Sequence, residues 1–138
     1  MSEMEKRKVL FICTHNSARS QMAEALLNGM MNDRYEAFSA GTYPTSVHPG
    51  TIAALKEIGF GTTGLYSKPI SGFLGSRFDL VVTVCDRAKE TCSFFPGATR
   101  TIHSGFSDPE DLVREGMDEA DAFRSVRDSI RSWIEENL

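Results

Sequence analysis

The chain has 138 residues, a formal net charge of −4 and a sequence pI near 5.4. That length suits one domain with a core of its own and no need of disulfide staples. The acidic balance argues against nucleic acid as a partner, because phosphate backbones select basic surfaces. No apolar run approaches a membrane span, so no membrane partner is expected. The charged stretch Met1 to Lys8 is followed by only a short apolar run, too short for the core of a signal peptide. With three cysteines, an odd number, a disulfide framework is not indicated. A cytoplasmic, reducing location is expected, where any thiol pairing is transient.

In chain order, Lys8 to Ile12 reads as a buried strand and Ser20 to Met31 as a helix with Met22, Ala25, Leu26 and Met30 on one face. Tyr35 to Ser39 reads as a short strand closed by Ala40-Gly41. Pro49 to Ile58 reads as a helix with Ile52, Leu55 and Ile58 inward, opened by proline and stopped by Gly59. The Gly-, Ser- and Thr-rich stretch Phe60 to Ser76 reads as loop with room for one helical turn. Asp79 to Val84 is the strongest strand, its continuous apolar run suiting a parallel sheet buried on both faces. Thr99 to Ile102 reads as a fourth strand. Glu119 to Asn137 reads as an amphipathic helix with Phe123, Val126, Ile130, Trp133 and Ile134 toward the core. There is no repeat and no low-complexity tract. Alternating strands and helices predict an α/β single-domain, three-layer sandwich, a four-stranded, mostly parallel sheet flanked by helices.

The most informative segment is Cys13-Thr14-His15-Asn16-Ser17-Ala18-Arg19-Ser20, between the first strand and the first helix. A loop entering a helix turns backbone N–H groups inward, where the helix dipole also favours negative charge. Arg19 adds a planar fork that holds two oxygens at once. Residues 13–20 therefore form a cup for a tetrahedral oxyanion, and its positive field favours the nucleophilic thiolate of Cys13. Ser20, and secondarily Ser17, are candidates to donate a hydrogen bond to the sulfur. Asn16 is suited to brace the loop, since Asn tolerates a left-handed backbone. A nucleotide-type phosphate loop is excluded, because no Gly-Lys-Ser/Thr follows.

In parallel sheets, ligands gather beyond the carboxyl ends of the strands. Cys13, Cys85 and Asp108 each follow a predicted strand, so all three are expected at one sheet edge, where neighbouring strands lie about 4.8 Å apart. Asp108 is a candidate general acid, although Asp-Pro is also an ordinary turn pair. Cys85 and Cys92 are seven residues apart, about 10.5 Å on a continuous helix. A disulfide needs Cα atoms within about 7 Å, so the two can bond only if the segment bends or unwinds. Phe94-Phe95-Pro96 would anchor its far end. The cysteines and His15, His48 and His103 lack metal-ligand spacing, so no metal site is expected. Trp133 and the methionines read as packing.

On Val9 to Glu24, Ser39-Ala40-Gly41, Asp79 to Cys85 and Gly105 to Pro109, the chain resembles the thioredoxin-coupled arsenate reductases. These share the fold of low-molecular-weight tyrosine phosphatases. The resemblance implies that Cys13 attacks arsenate while Thr14, His15, Asn16, Ser17, Ala18, Arg19 and Ser20 hold its oxygens and Asp108 helps hydroxide leave. It further implies that Cys85 attacks Cys13 and releases arsenite, that Cys92 attacks Cys85, and that thioredoxin, or a glutaredoxin-like reductant, reduces the Cys85–Cys92 disulfide. A monomer with no tightly bound cofactor is expected. Ala18 stands where some relatives carry another cysteine outside the relay. Potassium-binding relatives use residues matching Asn16, Glu24 and Ser39 with an acidic residue where this chain has Lys68. The lysine argues against potassium, and its ammonium group is expected to take the ion's place beside Glu24.

The main alternative is a phosphatase acting on phosphotyrosine or a small phosphoester through Cys13, Arg19 and Asp108. It would leave Cys85 and Cys92 idle. Phosphotyrosine-cleaving relatives place aromatics just after Asp-Pro, whereas Glu110-Asp111 follow here and would repel an anionic substrate. A third reading is a non-catalytic redox sensor or anion-binding regulator.

Overall fold

The computed structural model describes residues 5–85 and 95–138. Among the described residues there are four strands, β1 (Arg7–Cys13), β2 (Tyr35–Gly41), β3 (Phe78–Thr83) and β4 (Ala98–His103). They form one sheet in the order β2-β1-β3-β4, and every pairing is parallel. The sheet is thus wholly rather than mostly parallel. The helices flanking it are α1 (Arg19–Met30), α2 (Pro49–Glu57), a short α3 (Pro109–Arg114) and α4 (Glu119–Asn137). A 3-10 turn at Ile70–Phe73 fills the loop before β3, where one helical turn was expected.

The central strands explain the clarity of their sequence signal. Val9, Leu10, Phe11 and Ile12 of β1 and Val81 and Val82 of β3 are fully or almost fully buried, because helices cover both faces of a parallel sheet. The edge strand β4 is half-exposed along its length and extends one residue beyond the expected Thr99–Ile102 at each end.

Helix α4 follows the predicted pattern, burying Ala122, Phe123, Val126, Ile130 and Ile134, and packs on α1, α2 and α3. Trp133 stands edge-on to both Phe11 and Phe106, with ring centroids 6.5 and 6.4 Å away. It therefore ties β1 to the segment before Asp108. Helix α2 departs from expectation. Its buried residues are Gly50, Thr51, Ala54 and Leu55, while Ile52 and Ile58 are only half-buried. Small residues face inward because α4 lies close. A Cβ on Gly50 would fall 2.8 Å from the Phe123 ring.

Phe38, Phe73 and Phe78 form an edge-to-face cluster, and Phe95 joins it 5.7 Å from Phe78. Phe95 is 1% exposed, so it is seated in the core where an anchor was expected.

Candidate active site

The register places the site. Ile12 pairs with Thr83, and Val84 N–H donates to the Ile12 carbonyl at 2.9 Å, so the chain leaves β1 and β3 side by side. Cys13 and Cys85 both emerge at this edge and are buried. The Thr14 hydroxyl lies 3.4 Å from Cys85 Sγ, which sets Cys85 against the residue following Cys13. Cys92, and the bending or unwinding expected between Cys85 and Cys92, lie outside the described residues.

The loop after β1 is built around Asn16. It is fully buried and has φ 49°, the left-handed region that Asn tolerates better than most residues. All four of its side-chain hydrogen-bonding positions are used. Oδ1 accepts from Lys68 N (2.8 Å) and Gln21 Nε2 (3.0 Å), and Nδ2 donates to Ser20 Oγ (2.7 Å) and Ser39 Oγ (2.9 Å). Ser20 Oγ in turn lies 2.8 Å from Cys13 Sγ. Ser17 has another duty: its carbonyl accepts from His48 N–H and the Thr51 hydroxyl, which ties the loop to α2.

Helix α1 points its N-terminus at this loop. Its N-cap, Ala18, offers no side-chain cap, and the first turn holds no acidic residue, so the positive end of the helix dipole is left for an anion. Arg19 is held over the cup by a hydrogen bond from Nη1 to the Phe106 carbonyl (3.2 Å). Its Nη2 lies 3.6 Å from Asp108 Oδ2. Asp108 combines two functions. Its Oδ1 accepts from Glu110 N–H at 2.9 Å as the N-cap of α3, and Oδ2 faces the arginine. The expected Asp-Pro turn is therefore the start of a helix, with Pro109 in its first turn.

Two openings meet here. A cleft of about 250 Å³ leads to Cys13 past His15, Arg19, Thr45, Asp108 and Glu110. A groove of about 830 Å³ runs from Thr14 and Arg19 past Cys85 to His103 and Asp108. Cys13, Arg19, Cys85 and Asp108 thus converge as anticipated. Sequence reasoning missed the Phe106 carbonyl that aims Arg19, the contact of His48 with Glu110, and Gln21, whose Nε2 binds Asn16 O, Asn16 Oδ1 and Tyr66 O. Each joins segments distant in the chain.

Behind the loop, Glu24 Oε1 accepts from the Ser39 hydroxyl at 2.6 Å. Lys68 Nζ lies 3.3 Å from the same oxygen and donates to Tyr66 O at 2.8 Å, with the Tyr66 ring 4.5 Å away. The ammonium group thus lies among the Glu24 and Tyr66 oxygens.

These features match known proteins along nearly the whole chain. Residues 8–137 match the family model for low molecular weight phosphotyrosine protein phosphatase, and the chain belongs to that family. Within it, an arsenate reductase of Halalkalibacterium halodurans is 40% identical over 133 residues, covering 95% of this chain and 94% of that one. A solved arsenate reductase in its phosphate-binding state superposes with TM-score 0.73 at 29% identity, covering 94% of this chain and 95% of that one. The thioredoxin-dependent arsenate reductase of Corynebacterium glutamicum gives TM-score 0.69 at 28% identity, over 95% of this chain and 61% of that one. Among the described residues, no helix is long and apolar enough to cross a membrane.

Proposed function

We propose that this chain is an arsenate reductase that works by a thiol relay through Cys13, Cys85 and Cys92 and is regenerated by thioredoxin in the cytoplasm. The observation that carries the reading is the position of Cys85. A phosphatase has no use for a second buried thiol against the nucleophile loop, whereas a relay requires one.

In the first step the Cys13 thiolate attacks arsenic(V) and an S–As bond forms. One arsenate oxygen leaves as water, taking a proton from Asp108. Asp108 Oδ1 is committed to the α3 cap, so Oδ2, on the arginine side, is the atom to carry that proton. Arg19 and the N-terminus of α1 offset the negative charge on the oxygens. Cys85 then attacks Cys13 Sγ. The S–S bond forms, the S–As bond breaks, and arsenic keeps the electron pair and departs as arsenite. Two thiols have lost two electrons and arsenic has gained them. Cys92 next attacks Cys85, which frees Cys13 and leaves Cys85–Cys92 for an external dithiol to reduce.

No potassium ion enters this scheme. We assign the support of the loop from behind to Lys68, whose ammonium group takes the place a cation would hold beside Glu24.

The test is arsenate-dependent NADPH consumption with thioredoxin and thioredoxin reductase. The native protein should turn over, and Cys92→Ser should complete the first attack but not repeated cycles. Full steady-state turnover by Cys92→Ser would remove the relay. Robust aryl phosphate hydrolysis without any arsenate response would replace the reading with a phosphatase.

A further inference from the structure

Glu110 stands at the mouth of the Cys13 cleft, and its place there is not left to chance. Its Oε1 lies 3.2 Å from His48 Nε2. His48 is itself fixed from three sides. Its Nδ1 accepts from Gly50 N–H at 2.9 Å as the N-cap of α2, its backbone N–H donates to the Ser17 carbonyl at 3.1 Å, and its ring lies against Phe123 with centroids 4.6 Å apart. Because Nδ1 is an acceptor, the ring proton resides on Nε2 and points at Glu110. One histidine therefore links the nucleophile loop, α2 and α4 to an acidic side chain on α3.

We propose that Glu110 is a specificity-determining residue that confines the cup to small inorganic oxyanions, and that His48 is the positioning residue that holds it there. This rests on reading the cup as an oxyanion site. An inorganic tetrahedral anion passes the mouth, sinks to Arg19 and the α1 N-terminus, and leaves the half-exposed Glu110 carboxylate hydrated. An organic monoester leaves its substituent in the mouth, against Glu110. There it strips water from an ionised carboxylate without supplying a hydrogen bond in return, which is costly. The penalty falls on the ester alone, so it acts as selection rather than as a general barrier to anions.

The experiment measures hydrolysis of para-nitrophenyl phosphate and its inhibition by inorganic phosphate in the native protein, Glu110→Ala, Glu110→Gln and His48→Asn. Glu115→Gln, an exposed charge at the C-cap of α3, is the control. In the ester reaction Cys13 displaces the phenol oxygen from phosphorus, Asp108 protonates that oxygen, and water then hydrolyses the thiophosphate. Glu110→Ala should raise kcat/KM for the ester about tenfold while inhibition by phosphate stays within about twofold. Glu110→Gln should give a smaller rise, since it loses the charge but keeps the bulk. His48→Asn retains an N-cap acceptor for α2 and should shift the ester-to-phosphate ratio in the same direction. An unchanged ratio in Glu110→Ala, or equal changes for ester and phosphate, overturns the proposal. Neither measurement needs arsenate reduction, so failure of the relay in the NADPH assay is a separate result.

Discussion

Ser20 Oγ and Cys13 Sγ lie 2.8 Å apart, and Asn16 Nδ2 donates to the same serine oxygen. Asn16 Nδ2 gives its two hydrogens to Ser20 Oγ and Ser39 Oγ, an orientation fixed by the donors that Lys68 and Gln21 present to Oδ1. Ser20 therefore accepts from Asn16, which leaves its own hydrogen available to the sulfur. A hydroxyl donor at this distance is suited to stabilise charge on the sulfur as it attacks.

Replacing Ser20 by Ala should accordingly slow attack by Cys13. A hydrogen bond to a charged group is worth about 1.5–3 kcal/mol, or roughly ten- to a hundredfold in rate. Alkylation of Cys13 by iodoacetamide, followed in a Cys85→Ser, Cys92→Ser background, reads this directly at one pH. An unchanged rate would mean that the loop amides and α1 suffice.

Gly41 sets the height of the same loop. A Cβ there would lie 2.7 Å from the Thr14 carbonyl oxygen and 3.0 Å from Asn16 N, both backbone atoms with little room to yield. Gly41→Ala should push the loop outward. The expected cost is about 2 kcal/mol in stability, measured by urea unfolding. Activity should fall about a hundredfold, because a shift near 1 Å at the reacting centre is that expensive. Loss of stability with full activity would show that the loop does not rest on Gly41.

The parts of this site legible in the sequence are those fixed by local chemistry. The apolar run of β1 followed by Cys13 to Ser20 specifies strand, anion loop and helix together, and Asn16 adopts the left-handed backbone its side chain tolerates. The β3 run is equally plain because both faces are buried. The missed features depend on tertiary placement. Arg19 and Phe106 are 87 residues apart, and nothing near either predicts their hydrogen bond. Helix α3 was legible in principle: Asp108 caps it, Glu110 and Asp111 sit in its first turn and Arg114 in its last, all suited to the helix dipole. With one turn and a half of helix, the Asp-Pro turn signal outweighed them. On the inward face of α2 hydrophobicity points to Ile52 and Ile58, whereas close approach of the Phe123 ring selects Gly50, with Ala54 also buried.

Lys68 and Glu24 form a largely buried pair, with side chains 10% and 15% exposed. Removing one partner of such a pair typically costs about 3 kcal/mol or more, because the other charge is left desolvated. Lys68→Met should therefore lower the urea midpoint clearly, and adding Glu24→Gln should recover part of the loss, a coupling that a double-mutant cycle quantifies. If the ammonium group stands in for a cation, potassium chloride should restore stability to Lys68→Met more than sodium chloride does. It should do little for the native chain. A potassium-specific response of the native protein would show that Lys68 leaves room for the ion.

A second charge network, remote from the site, should govern acid sensitivity. Glu57, at the end of α2, receives hydrogen bonds from Arg124 at 2.9 and 2.6 Å and from Arg127 at 2.7 Å. These bonds, those of Arg124 foremost, lower its pKa from 4.5 to about 2. Arg127 is raised in turn: its burial works against the charge, but hydrogen bonds to Asp128 and Glu57 outweigh it. A depressed carboxylate binds fewer protons in the folded chain than in the unfolded one. Its stabilising contribution is therefore complete above about pH 4.5, declines as pH falls, and is gone below about pH 2. Glu57→Gln should be less stable than the native chain at neutral pH, and the gap should close between about pH 4.5 and 2. Urea midpoints measured across that window test it, since the other carboxylates contribute equally to both proteins. Parallel curves would mean that Glu57 titrates alike in the folded and unfolded chains, and that the bridge from α2 to α4 adds nothing that acid removes.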